Sequence, residues 1–182
     1  MKKIAFFLVF LFSLSFVSCG GDDDNNNDDP YAEVPDPADT ITANISDGYT
    51  NSIIFSDRAY LGRLRWQKPN DIFFEIGGSY HDPADGYYYY YNASICNVGV
   101  VNGLGNIKSV PTSGWSTNNV ACETGHGYVI RIKCYQRYKS GLGNEDYDGD
   151  VFYARIYIVE PIITTAGGIA GAKVKYEFPW NP

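Results

Sequence analysis

From about residue 59 to residue 178 the chain alternates apolar and polar side chains, segment after segment, with a period of two. Residues 128–135 set Tyr128, Ile130, Ile132 and Cys134 against Val129, Arg131, Lys133 and Tyr135. Residues 151–159 repeat the pattern, with Phe152, Ala154, Ile156 and Ile158 against Tyr153, Arg155 and Tyr157. Successive side chains of a strand point to opposite faces, whereas an amphipathic helix needs apolar residues three and four apart. No long segment shows that helical spacing. The chain is therefore confined to sheets that bury one face against a core.

Strands are expected over residues 52–55, 59–66, 72–76, 87–95, 98–101, 120–122, 128–135, 151–159 and 172–178. Between them lie turn signals: Lys68-Pro69-Asn70-Asp71, Asp82-Pro83-Ala84-Asp85-Gly86, Gly103-Leu104-Gly105-Asn106, Pro111-Thr112-Ser113-Gly114, Glu123-Thr124-Gly125 and the glycine-rich stretches 140–150 and 164–171. Glycine supplies positive φ and proline a fixed φ, so such clusters interrupt strands for a stated reason. Tyr60, Leu64 and Trp66 share a face opposite Arg63 and Arg65. Tyr87, Tyr89, Tyr91, Ala93 and Ile95 share a face expected to be buried, which sends Tyr88 and Tyr90 outward. Short strands joined by turns make an all-β domain. The unequal strand lengths and long loops favour an antiparallel β-sandwich, with a β-barrel as the alternative.

The chain's charge is unevenly spread. The formal net charge is −7, from 14 basic and 21 acidic residues. Eight acids precede Thr40, while residues 40–182 carry thirteen acids against twelve bases. The domain is thus nearly neutral, and no basic excess exists to neutralise a phosphate backbone, which argues against nucleic acid as a partner. Residues 19–39 are mostly Asp, Asn, Gly and Pro; they cannot bury a core and read as a disordered acidic tether stiffened by Pro30, Pro35 and Pro37. The single β domain is placed at residues 40–182.

Ahead of the tether, Lys2 and Lys3 precede an apolar run over residues 4–17. Fourteen residues at about 1.5 Å each span roughly 21 Å, short of the ~30 Å hydrocarbon core. That length fits a signal peptide over residues 1–18 rather than a transmembrane helix. Cys19 follows the small residue Ser18 and precedes Gly20-Gly21, an arrangement that resembles a bacterial lipobox, although Phe16 stands where leucine is usual. The resemblance implies that Cys19 becomes the first mature residue and is acylated, palmitate included, giving a membrane partner through a lipid anchor. The Asp22-Asp23-Asp24 run resembles the export signal of Bacteroidetes surface lipoproteins and implies an outer-membrane, surface-facing address. The alternative is a solvated spacer. Asp39-Thr40-Ile41 resembles an acceptor for O-glycosylation at Thr40.

The blocks Gly103-Leu104-Gly105-Asn106-Ile107, Pro111-Thr112-Ser113-Gly114-Trp115, Gly125-His126-Gly127-Tyr128-Val129, Tyr153-Ala154-Arg155-Ile156-Tyr157 and Thr164 through Tyr176 resemble a family of Bacteroides lipoproteins with a domain of unknown function. Across residues 97–180 the blocks keep the same order; Glu160-Pro161 departs from the family's acid–aromatic pair. The resemblance implies origin and fold, and no activity.

Chemistry is harder to place. The spacing Asn144-x-Asp146-x-Asp148-Gly149-Asp150 matches the start of a calcium loop, making Asp146, Asp148 and Asp150 a metal candidate. The closing bidentate acid is replaced by Arg155, and the same residues suit a hairpin turn. Cys96, Cys122 and Cys134 lack zinc spacing; they form an odd set in which one disulfide or buried thiols are both open. His81 and His126 sit in turn-like stretches without a nucleophile motif. Glu75, Glu123 and Asp85 are the carboxylates a glycoside-hydrolysing pair would draw on. No cofactor motif is present, since Gly167-Gly168-Ile169-Ala170-Gly171 lacks the Lys-Ser/Thr ending of a phosphate loop. The outward positions are the most informative: Tyr88, Tyr90, Arg131, Lys133, Tyr135, Tyr153, Arg155 and Tyr157 form a candidate face for a glycan or protein ligand. Ordinary cross-strand pairing accounts for the same residues without a ligand. Three readings stand: a non-enzymatic ligand-binding module, a structural or envelope-assembly module, and a hydrolase with a dispersed site.

Overall fold

The computed structural model describes residues 34–48, 51–57 and 59–182. The signal peptide, Cys19, the aspartate run and most of the tether lie outside the described residues. In chain order the strands are β1 (Ile41–Ser46), β2 (Ile53–Asp57), β3 (Ala59–Gln67), β4 (Asp71–Ile76), β5 (Ser79–His81), β6 (Tyr88–Val100), β7 (Val120–Ala121), β8 (His126–Lys139), β9 (Gly143–Asp146), β10 (Val151–Ile163) and β11 (Ile169–Glu177). All pairings among them are antiparallel.

Seven strands make one sheet in the order β1-β11-β10-β8-β6-β5, with β9 also on β8; β2-β3-β4-β7 make a second. The larger sheet curls part-way round a barrel but ends at β1 and β5 without closing. The smaller sheet covers its concave side, giving an antiparallel sandwich. Between them Ile95, Tyr128, Ile130, Ile132, Ala154, Ile156, Ile158 and Val174 meet Ile53, Phe55, Leu61, Leu64, Trp66 and Ile72. Leu64, Trp66, Ile95, Tyr128, Ile130, Ile132, Ala154, Ile156, Ile158 and Val174 are residues the alternation placed inward. Each fully buried Leu, Ile or Phe contributes about 1.5–3 kcal/mol relative to exposure.

Leu61 reaches the core out of phase with Leu64 because β3 carries a bulge there: Phe55 pairs with Gly62 and Ser56 with Tyr60. Bulges also explain β6 and β8. Residues 87–95 and 98–101 were expected as two strands; they form one, in which Val98 is the extra residue between the Asn97↔Tyr128 and Gly99↔Gly127 pairs. Tyr135 is the corresponding extra residue on β8, between the Tyr91↔Cys134 and Tyr90↔Gln136 pairs. A bulge keeps the ladder while shifting the side-chain phase, so alternation alone cannot distinguish it from a strand end.

The opposite face of the larger sheet is covered by the chain between β6 and β7. Leu104, Ile107, Val129 and Trp180 form a second core there, with Val98, Val101, Val110, Trp115, Tyr153 and Tyr157 packed around it. No strand forms over residues 107–110; Leu104–Asn106 is a 3-10 turn instead. The segment is pinned by paired backbone bonds between Ile95 and Ser116, at 2.8 and 2.9 Å. The last part of the expected tether is also ordered onto the domain. The Val34 N–H donates to Asn106 Oδ1 at 3.3 Å, and Lys175 pairs with Asp36. Val34 and Asp36, ahead of Thr40, are thus held against the β domain. All three described cysteines are free and buried.

Candidate functional site

The outward residues do share one face, since Tyr153 pairs with Arg131 and Arg155 with Val129 across the β8–β10 ladder. The centre of that face is not open. Arg155 is only 9 % exposed. Its Nη2 lies 2.6 Å from Glu177 Oε2, and Nη1 donates to the Ile107 carbonyl at 2.7 Å. Its guanidinium stands 5.2 Å from the Trp180 ring centroid. Arg131 lies 4.6 Å from the Trp115 ring centroid, and Trp115 Nε1 donates to the Pro111 carbonyl at 3.1 Å. Tyr153 and Tyr157 are half-buried against the second core. The expectation that Arg155 faces solvent is thus corrected: the 101–116 segment and Trp180 cover it, and the outward strand positions here hold a seam together. Lys133 is drawn to Asp148 at 2.7 Å. Tyr90 is half-buried, while Tyr135 at 43 % and Tyr88 at 40 % remain exposed, Tyr88 between His81 and Tyr138.

The other candidates separate in space. Asp146 pairs with Gln136 in the β8–β9 ladder, and Asp148 is taken by Lys133, whose hydrogen bond holds its carboxyl below the ordinary range. Asp150 sits beyond them, its carbonyl accepting from the Cys134 N–H. Among the described residues no three His, Cys, Asp or Glu side chains gather to hold a metal ion. Thr40 is half-buried, with its Oγ1 buried and without a hydrogen-bond partner. His126 Nδ1 lies 3.2 Å from Glu123 Oε2 and 3.1 Å from Asn97 Oδ1, so the ring is oriented by a carboxylate and an amide; neither partner is a hydroxyl. Glu75 lies with Arg63 and Arg65 on the smaller sheet, its Oε2 3.8 Å from Arg63 Nε and 3.5 Å from Arg65 Nη1.

A different cluster emerges on the concave side. Along β6, Ile95, Ala93 and Tyr91 pack on the main core, and Tyr91 is the last ring to do so. Tyr89 and Tyr87, next on the same face, carry on past it. Tyr89 meets Tyr147 with ring centroids 5.5 Å apart, Tyr87 at 6.3 Å and Tyr80 of β5 at 6.4 Å. Arg137, paired with Tyr89 across β6 and β8, places its guanidinium 4.5 Å from the Tyr87 centroid and 5.0 Å from that of Tyr147. Arg137 Nε donates to Glu145 Oε2 at 2.9 Å, a hydrogen bond that raises the guanidinium's pKa. All four rings and Arg137 are half-buried.

The rim is polar and charge-balanced. Lys139 Nζ lies 4.9 Å from the Tyr87 centroid and donates to the Asp85 carbonyl at 2.7 Å. The Asp85 carboxylate accepts from the Tyr89 hydroxyl and from the Tyr87 N–H. Those bonds, the Tyr89 one foremost, lower the Asp85 pKa; the same contact, then burial, raises that of Tyr89. Tyr147 arrives through the loop before β10, where its N–H donates to the Tyr135 carbonyl at 2.9 Å and the Gly149 N–H to that of Cys134 at 3.3 Å. A Cβ at Gly149 would stand inside the Tyr147 ring. Glycine there leaves the space that the edge of the Tyr147 ring occupies.

Sequence reasoning did not find Tyr80, Tyr87, Tyr89, Arg137 or Tyr147 as a site, and it expected Tyr87 and Tyr89 to be buried. The tyrosine run was a signal, but alternation cannot say where along β6 the smaller sheet stops covering it. Fold and site together define an antiparallel β-sandwich with an aromatic platform at one end of its larger sheet. No family model, curated protein or solved structure matches the chain.

Proposed function

We propose that the protein is a surface lipoprotein of the Bacteroides type, anchored to the outer membrane through acylated Cys19, whose β domain binds a glycan without catalysing a reaction on it. The anchor half rests on the signal-like residues 1–18, Cys19 and the aspartate run. The binding half rests on one observation: four half-buried tyrosine rings lie together at one end of the larger sheet, two of them against the Arg137 guanidinium. Tyrosine offers a flat apolar face with a polar edge at small entropic cost, which suits ligands that are apolar on one side and rich in hydroxyls on the other.

Two measurements test this reading. In cells making the full chain, Cys19 should carry acyl chains by mass spectrometry, and the Cys19→Ser form should leave the membrane fraction. Retention of that variant in membranes overturns the anchor. The purified protein in detergent should bind members of an immobilised glycan panel with unchanged product mass; absence of binding to every glycan at high protein concentration overturns the binding half.

A further inference from the structure

We infer that the concave-side cluster of Tyr80, Tyr87, Tyr89, Tyr147 and Arg137 is the binding subsite, and that it takes uncharged pyranose rings. The inference rests on the glycan-binding reading and gives it a place and a ligand class. The first argument is preorganisation. Arg137 is fixed by Glu145 at 2.9 Å and by rings on two sides, and Tyr89 is tied to Asp85, so little side-chain freedom remains to be lost on binding. The C–H face of a pyranose covers one phenol ring; Tyr80 and Tyr89, 6.4 Å apart and 25° from parallel, offer such faces, while Tyr147 and Tyr87 meet Tyr89 at 61° and 47° and wall the subsite.

Charge decides between ligand classes. The cluster's two cations, Arg137 and Lys139, are set against two anions, Glu145 and Asp85. A uronate or sulfated chain would find each cation already engaged and two carboxylates beside it. A nucleic acid would stack on the rings but lacks the basic excess its phosphates require. The rim instead supplies phenol hydroxyls, carboxylate oxygens and an ammonium group, the donors and acceptors that a polyol satisfies. A proline-rich peptide also uses aromatic grooves, but proline has no N–H to donate to the rim carboxylates, which a sugar's hydroxyls can do.

The experiment uses the purified full chain in detergent on a panel of neutral gluco-, galacto-, manno- and xylo-oligosaccharides, uronate-containing oligosaccharides and a polyproline peptide. Neutral oligosaccharides should bind best. Tyr147→Ala and Arg137→Ala should weaken binding at least tenfold, and Gly149→Ala should do likewise by displacing the Tyr147 ring while retaining it. Tyr88→Ala, on the opposite face, should change affinity less than twofold. Saturation-transfer NMR on the unaltered protein covers the case in which a variant unfolds: irradiating tyrosine ring protons should mark one face of the sugar. Neutral-glycan binding that survives the concave-side substitutions and falls with Tyr88→Ala overturns the subsite and leaves the general reading standing. Preference for uronates or for polyproline overturns the ligand class, and silence across the panel overturns the general reading itself.

Discussion

Arg155 shows how one residue type can mean two things. On an alternating strand it reads as a solvent-facing cation, and in the folded chain it is the clamp that joins β10, β11 and the 101–116 segment. It donates to Glu177 and to the Leu104 and Ile107 carbonyls. Removing one member of a buried pair leaves the other charge without compensation, at a cost of about 3–5 kcal/mol. Arg155→Ala should therefore lower the urea unfolding free energy by about 3 kcal/mol, whereas Arg155→Met with Glu177→Leu should cost less. Equal losses in the two forms would contradict this account. The thiols make a second prediction. Burial pushes Cys122 up to about 12 from an ordinary 9.0, so its contribution to stability is whole below pH about 9 and declines as pH rises toward about 12. The urea midpoint should fall between about pH 9 and pH 11, and fall less in Cys122→Ala. At pH 8 a thiol reagent should leave Cys96, Cys122 and Cys134 unmodified until denaturant is added, because all three are buried.

Among the elements, legibility followed apolar content. β3, β4, β8, β10 and β11 were readable because a core-facing residue recurs every second position. β9, Gly143–Asp146, has no apolar residue and exists because β8 offers a ladder edge and Arg137 an ion-pair partner for Glu145. β1 was missed although Ile41, Ala43 and Ile45 share a face, because polar residues surround so short a run; its place comes from pairing with β11. That pairing depends on Gly171, where a Cβ would collide with the Ile45 carbonyl and lie 2.8 Å from Ser46 Cα. Gly171→Ala should cost about 1–3 kcal/mol and raise hydrogen exchange in β1 before the rest of the sheet. Uniform exchange across the sheet would argue that β1 is not a separately labile unit.

For the whole molecule, the segment ahead of β1 is held against the β domain. The Val34 N–H and Asp36 engage Asn106 and Lys175, and Gly105 admits the Val34 and Pro35 carbonyls where a Cβ could not fit. A chain beginning at residue 40 should unfold at lower urea than one beginning at residue 34, and Asp36→Ala should reproduce part of the loss, roughly 1 kcal/mol for a half-exposed pair. β6 runs from the tyrosine cluster at Tyr88 toward the covering segment at Val100, along which the strand rise of about 3.3 Å per residue accumulates. Val34 sits on that covering segment, so the aromatic platform and the chain's entry point stand at opposite ends of β6.

Alternation by itself determined the all-β class, the antiparallel sheets and most of the core, because a period of two has one physical reading when one face of a strand must be dry. Residue types determined the list of tyrosines and arginines able to meet a ligand. Only the tertiary structure decided which of them do. Where the smaller sheet stops covering β6, and which loop covers β10, depend on contacts between residues distant in the chain, and those left Arg155 buried and Tyr87 and Tyr89 at a half-open edge. The tyrosine run was visible in the sequence; its division into core, seam and platform required the fold.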